Sequence, residues 1–293
     1  MRGAEKRHRS TRGRFTKGVM ARRQGEMASL LSGLSEAASG RGRLFLISGE
    51  PGIGKTRLAD EIAAAAEAER LELLVGHCSE RDEAVAYLPF VEILENFIAR
   101  IGNHDRLRAS IKNEGPELAR LVPKLASCLS FRRHSSLAPA QARRHLFNCF
   151  CDFIVRSCRQ QLALMILEDL HWTDDSTLSL LDHLALRLSG LPLMVIGTYR
   201  DARLNITRWL AQTLDGLLRQ RLATPVRLKG LERDEVASML NNLSGAIGAR
   251  RPGRQNIRRY QRESVFRRGI VPSSRRGKSA VRFVGQVSSC SRG

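Results

Sequence analysis

The residues Gly49-Glu50-Pro51-Gly52-Ile53-Gly54-Lys55-Thr56 satisfy the pattern G-x-x-x-x-G-K-[ST] without a mismatch. They stand between a short apolar run, Arg43–Ser48 (RLFLIS), and an alanine-rich stretch from about Thr56 to Arg70. A buried strand, a glycine-rich turn and a helix in that order leave few choices of fold. The glycines let the backbone wrap closely round a polyphosphate, so that successive N–H groups and the helix N-terminus point at its oxygens. In such a turn Lys55 reaches the β- and γ-phosphates, and the Thr56 hydroxyl takes one Mg²⁺ position.

The rest of the chain repeats the same alternation. A helical pattern begins at Glu26, with Met27, Leu30, Leu31 and Leu34 on one face, and Ser39-Gly40-Arg41-Gly42 breaks it. Leu71–Gly76 reads as a second strand, Leu162–Leu167 as a third, Leu193–Thr198 as a fourth and Pro225–Leu228 as a fifth. Between the second and third strands lies a helical segment, about 84–160. There Phe90, Leu94, Phe97 and Ile101 recur at helical spacing, and a further helix covers Ala140–Arg159. A helix over Ser176–Leu188 joins strands three and four. Apolar strands alternating with helices predict an α/β fold: a three-layer P-loop domain whose five parallel strands are covered on both faces.

A net charge of +20 invites a nucleic-acid reading, so the location of the charge matters. Residues 1–25 carry nine Lys/Arg against Glu5, and residues 250–293 carry thirteen against Glu263. The remaining 26–249 balance at 27 basic and 27 acidic residues. The middle is neutral. A nucleic-acid-binding protein acting through its basic termini is therefore the alternative reading, and the core is not a cationic nucleic-acid surface. The chain has no apolar run near the ~20 residues that span a bilayer, and its basic N-terminus has no apolar h-region. Its six cysteines form no C-x-x-C pair and no zinc spacing. The expectation is a cytoplasmic protein with ordinary thiols and no membrane partner.

Phosphoryl chemistry needs an acid to hold the metal's water shell and another to orient the attacking water. Glu168-Asp169, directly after the apolar run Leu162–Leu167, supplies both at the carboxyl end of a strand, where ligands bind in such sheets. Arg200, after strand four in GTYRD, is a third candidate, because its planar fork can read two phosphate oxygens together. The alternative for Arg200 is an ion pair with Asp201. Cys149 and Cys151 read as core filler, Arg132-Arg133-His134 as a solvated loop, and Trp172 as packing.

In order, GEPGIGKTRLADEIA, YLPFVEIL, QARRHLF, LALMILEDLHWTDDSTLSLLDHLA and LPLMVIGTYRD resemble the AAA-like ATPase domain of signalling NTPases. That domain occurs in LuxR-like transcription regulators and in multidomain proteins with nucleotide cyclase domains. The resemblance runs from about Arg23 to Ala246, and EDLHWTD with GTYRD is specific to the group. It implies that Gly49–Thr56 with Arg57 binds ATP, and that Lys55 and Thr56 are the Walker A pair. It further implies that Glu168-Asp169 is the Walker B pair, with Thr56 and Glu168 at the Mg²⁺, and that Arg200 is the sensor-1 arginine. Asp169, Glu168 and Arg200 are the implied catalytic set, while His171 and Asp174 shape the site. The family opens with a V-G-R-x-x-E-like turn over the adenine; Arg23 and Glu26 keep that spacing, but Arg22 stands where a glycine is usual.

Three segments follow: a basic disordered N-terminus over 1–22, the ATPase domain over 23–249, and a basic tail over 250–293. The resemblance implies a helical lid, which begins at Leu231–Leu243 (LERDEVASMLNNL) but lacks its usual G-N-P-F-F-V-E-E-L-like stretch. Advancing the frame of plausible codons for Arg262–Val271 by one nucleotide can give GNPFFVEEL. The tail is thus read as disordered and frame-shifted, with an incomplete lid before it, and the nucleotide sequence around codon 248 tests this. The expected function is an ATP–Mg²⁺-binding module with weak or absent hydrolysis. The expected partners are ATP, output domains and further copies of the chain.

Overall fold

The computed structural model describes residues 23–82, 85–101, 104–111, 114–129, 137–158, 162–201 and 207–230. The expectations for 1–22, Arg22, Arg132-Arg133-His134, the lid and the tail lie outside these residues. The chain divides into two units, of which Arg23–Glu50 with Gly54–Lys229 is the larger. The other comprises Met1–Arg22, Pro51–Ile53 and Gly230–Gly293, and only Pro51–Ile53 and Gly230 of it are described.

Five parallel strands make the sheet of the larger unit: β1 (Arg43–Gly49), β2 (Glu72–His77), β3 (Ala163–Glu168), β4 (Leu193–Arg200) and β5 (Ala223–Arg227), in the order β2-β3-β4-β1-β5. β1, β3 and β4 are nearly continuous apolar runs because both faces of the sheet are covered. Side chains alternate between the faces. Leu44, Leu46, Met165, Leu167, Leu193 and Val195 join one large core with the helical segment. The intervening Phe45, Ile47, Leu164, Ile166, Met194 and Ile196 are equally buried on the opposite face.

That second face is covered by α1 (Gln24–Ala38) and α2 (Lys55–Ala68). Here the sequence expectation needs correcting. Leu31 is 43% exposed, while Gly33 and Ala37 are buried beside Leu30 and Leu34. A Cβ on Gly33 would fall 2.2 Å from the Phe45 ring, so the ring of β1 occupies the place a side chain would take. The helix is rotated toward its small residues. The α2 helix ends two residues before the expected Arg70. Arg70 turns left-handed (φ 60°), its N–H donates to Glu67 O, and the Leu71 N–H donates to Ala66 O, which is a Schellman end feeding β2.

The inserted segment holds α3 (Leu88–Ile101), α4 (His104–Ile111), α5 (Gly115–Leu121), α6 (Lys124–Leu129) and α7 (Pro139–Cys158). Edge-to-face pairs Phe90–Phe150 (5.0 Å) and Phe97–Phe153 (4.8 Å) lock α3 to α7. Cys149 and Cys151 are buried in this core, as expected. The α8 helix (Asp175–Ala185) is capped by Asp174, whose carboxylate accepts from the Ser176 and Thr177 N–H groups. The α9 helix (Arg208–Arg219) is absent from the sequence reading, although its signal is present. Thr207 caps the Leu210 N–H at 3.2 Å, and Leu210, Leu214 and Leu217 are buried at i, i+4 and i+7.

Candidate functional site

The strand order decides which residues meet. β1 lies beside β4, and β4 beside β3, so three carboxyl ends that are distant in sequence finish side by side. Gly49, at the end of β1, is in register with Arg200, at the end of β4. Leu167 pairs with Gly197, which puts Glu168 and Asp169 next to Thr198. The strand therefore runs to Arg200 itself, two residues past the expected end at Thr198.

The β1–α2 turn contains Pro51, Gly52 and Ile53, and Gly54 enters α2 with φ 104°. That left-handed conformation needs glycine, and the space where a Cβ would stand is open. Lys55 is 7% exposed, and its ammonium donates to the carbonyl oxygens of Gly49 (2.9 Å) and Glu50 (3.0 Å). Burial pushes its pKa down, the Asp169 carboxylate opposes that, and the Arg200 guanidinium adds to it. Lys55, Asp169 and Arg200 thus share one electrostatic neighbourhood. Thr56 is exposed at the start of α2, and Arg57 reaches along the helix to Glu61 at 3.5 Å.

β3 ends on Glu168, which is 8% exposed and whose carbonyl accepts from the Cys78 N–H at 2.9 Å. Asp169 then turns left-handed (φ 57°, ψ 45°), a conformation aspartate tolerates better than most residues. The turn redirects the chain into the one-turn 3₁₀ segment Leu170–Trp172. The Asp169 backbone N–H donates to Thr198 Oγ1 at 3.0 Å. Thr198 is fully buried, and the sequence reading missed it. The signal was a hydroxyl closing the otherwise apolar run LMVIGT.

The ion pair with Asp201 that the sequence offers Arg200 is not the one formed. Asp201 pairs with Arg227 at 2.9 Å, while the Arg200 guanidinium carbon lies 5.6 Å from the centre of the Trp172 ring. Trp172 in turn faces the His171 ring at 5.0 Å. The His171 side chain is wholly buried, with Nδ1 3.8 Å from the Asp169 carboxylate, and neither ring nitrogen has a hydrogen-bond partner. Burial, with Arg200 and Lys55 nearby, holds its pKa down to about 4, so the ring is neutral at pH 7. Arg23 is also buried, and its guanidinium donates to Lys229 O at 3.3 Å and pairs with Glu26 at 3.5 Å.

These residues fit a nucleotide phosphate chain and Mg²⁺. Among the described residues no group of three or more His, Cys, Asp or Glu side chains forms a metal cage. Mg²⁺ does not need one, because it is ordinarily held by one or two carboxylates together with substrate phosphates and water. No helix among the described residues is long and apolar enough to cross a membrane.

An α/β sheet of this order, with a glycine-rich turn at the end of β1 and an acid pair at the end of β3, is a P-loop NTPase fold. The AAA ATPase domain family matches residues 20–196, and the chain belongs to that family. Membership implies nucleotide binding. An uncharacterized protein of Rhizobium meliloti (strain 1021) is 24% identical over 227 residues, covering 75% of this chain and 21% of the relative. The chain therefore spans about a fifth of that relative's length. Among solved structures, Cdc6p from Pyrobaculum aerophilum is 16% identical with a TM-score of 0.47, covering 80% of this chain and 52% of that one. AMPPCP-bound DnaA from Aquifex aeolicus is 9% identical with a TM-score of 0.40, covering 84% and 57%.

Proposed function

We propose that this chain is the ATP–Mg²⁺-binding switch module of a signalling or transcription-regulatory ATPase, with little or no hydrolysis of its own. One observation carries the reading: a buried lysine ammonium, held on the carbonyls of its own glycine-rich turn, shares its surroundings with an acid and an arginine from two neighbouring strand ends. The turn from Gly49 to Thr56 would hold the phosphates through backbone N–H groups and Lys55. The Thr56 hydroxyl and the Glu168 carboxylate would hold Mg²⁺ and its water shell. Asp169, fixed by Thr198, would orient a water, and Arg200 would read the terminal phosphate. Bound Mg²⁺ would supply neutralisation of charge on the phosphate oxygens.

The weak hydrolysis follows from how such sites work: turnover requires closure that excludes water and completes the site. In relatives that closure involves a lid, and Leu231–Leu243 resembles the beginning of one. Signalling and transcription regulation rest on the resemblance of EDLHWTD and GTYRD to that group. Output domains and self-association would belong to a longer assembly.

Isothermal titration of the purified chain with ATP, with and without Mg²⁺, tests the reading. Binding should require Mg²⁺, and Lys55→Ala should weaken it by about 10- to 150-fold through loss of a charge-assisted phosphate contact. Equal affinity in Lys55→Ala would remove the assignment of the turn.

A further inference from the structure

We propose that Trp172 holds Arg200 away from the terminal phosphate and thereby sets how strongly the site distinguishes a nucleoside triphosphate from a diphosphate. The inference rests on the nucleotide-binding reading above and adds a residue whose chemistry is not phosphate binding at all.

Arg200 stands at the right end of the sheet, opposite Gly49, but its guanidinium lies over the face of Trp172, 5.6 Å from the ring centre. The adjacent acid does not compete for it, because Asp201 is paired with Arg227. A planar guanidinium can stack on an indole or present its fork to two phosphate oxygens, but one orientation excludes the other. The two partners therefore compete.

Trp172 is well placed for this role because it has little room to yield. Behind it stands His171, whose side chain is wholly buried. The 3₁₀ turn carrying both rings is seated on β4: a Cβ on Gly197 would fall 2.6 Å from Leu170 Cδ1. Lys55 and Arg200 both bear on the neutral His171 ring, and the Asp169 carboxylate lies beside it. A terminal phosphate would draw Arg200 off the indole. A diphosphate, ending one phosphate earlier, would leave it stacked. Every triphosphate-binding event would then sacrifice one cation–π contact, worth about 2- to 5-fold in affinity.

The test uses a non-hydrolysable ATP analogue and ADP, each with Mg²⁺, titrated into the full chain. Trp172→Leu should tighten the triphosphate analogue by about 2- to 5-fold and leave ADP unchanged, with Trp172→Phe between. In the Arg200→Ala background the Trp172→Leu gain should vanish, which a role in packing alone would not produce. Weaker or unchanged analogue binding in Trp172→Leu overturns the proposal. So does an equal shift for ADP, or a gain that survives Arg200→Ala.

A second measurement keeps Trp172 intact. The chain has two tryptophans, and Trp209 is 60% exposed on α9, so Trp209→Phe leaves Trp172 as the sole reporter. Its emission should change on adding the triphosphate analogue and not on adding ADP, and an emission blind to both overturns the proposal. If the unaltered chain binds neither nucleotide, the nucleotide reading falls and takes this inference with it. Binding without a Trp172 effect sinks the inference alone.

Discussion

The Asp169 backbone N–H donates to Thr198 Oγ1 at 3.0 Å, across the boundary between two neighbouring strands. This bond pins a left-handed residue at the point where β3 gives way to the 3₁₀ turn, and it fixes where the Asp169 carboxylate starts. Without it, a partly buried N–H would lose its acceptor in a conformation that already costs about 1–2 kcal/mol. Thr198→Val keeps the shape and removes the hydroxyl. It should destabilise the chain by about 1–2 kcal/mol in denaturant melts, whereas Thr198→Ser should restore most of that. Equal stability of the valine variant would show that the bond is incidental.

The two acids at the end of β3 are not equivalent. Glu168 is the last buried residue of the strand, and Asp169 has already left the sheet with its side chain 38% exposed. Asp169→Asn should therefore reduce single-turnover hydrolysis more than ATP affinity, because orienting a water matters chiefly in the transition state. Glu168→Gln should chiefly raise the Mg²⁺ concentration needed for binding. The opposite pattern would exchange their roles.

His171 makes stability depend on pH in a defined direction. Its folded pKa, held down to about 4, lies below the ordinary value of 6.5, so the unfolded chain binds the extra proton between those limits. Its neutral form is fully compatible with the fold above about pH 6.5. The penalty grows as pH falls toward 4, reaching at most about 3 kcal/mol. The groups facing it are the Asp169 carboxylate, the Lys55 ammonium and the Arg200 guanidinium. His171→Leu removes two buried, unpartnered nitrogens. It should be neutral or stabilising at pH 7, and should lose less stability than the parent between pH 6.5 and 4.5 in parallel denaturant melts. Identical losses in both chains would place the titration elsewhere.

By itself the sequence determined the local vocabulary: the turn from Gly49 to Thr56, the apolar runs that become strands, and the acid pair that closes the third. These are legible because a glycine-rich turn and a doubly covered strand impose their composition within a few residues. The α9 helix left a signal too, in the Thr207 cap and the spacing of Leu210, Leu214 and Leu217 against a polar face. Tertiary structure alone decided the partners. That α1 packs through Gly33 rather than Leu31 depends on where the Phe45 ring lies. That Asp201 takes Arg227, leaving Arg200 against Trp172, depends on β5 arriving beside β1. The role of Thr198 depends on β4 lying next to β3. Residues 169 and 198 are far apart along the chain, and no local pattern encodes a bond that exists only once strand order and register are set.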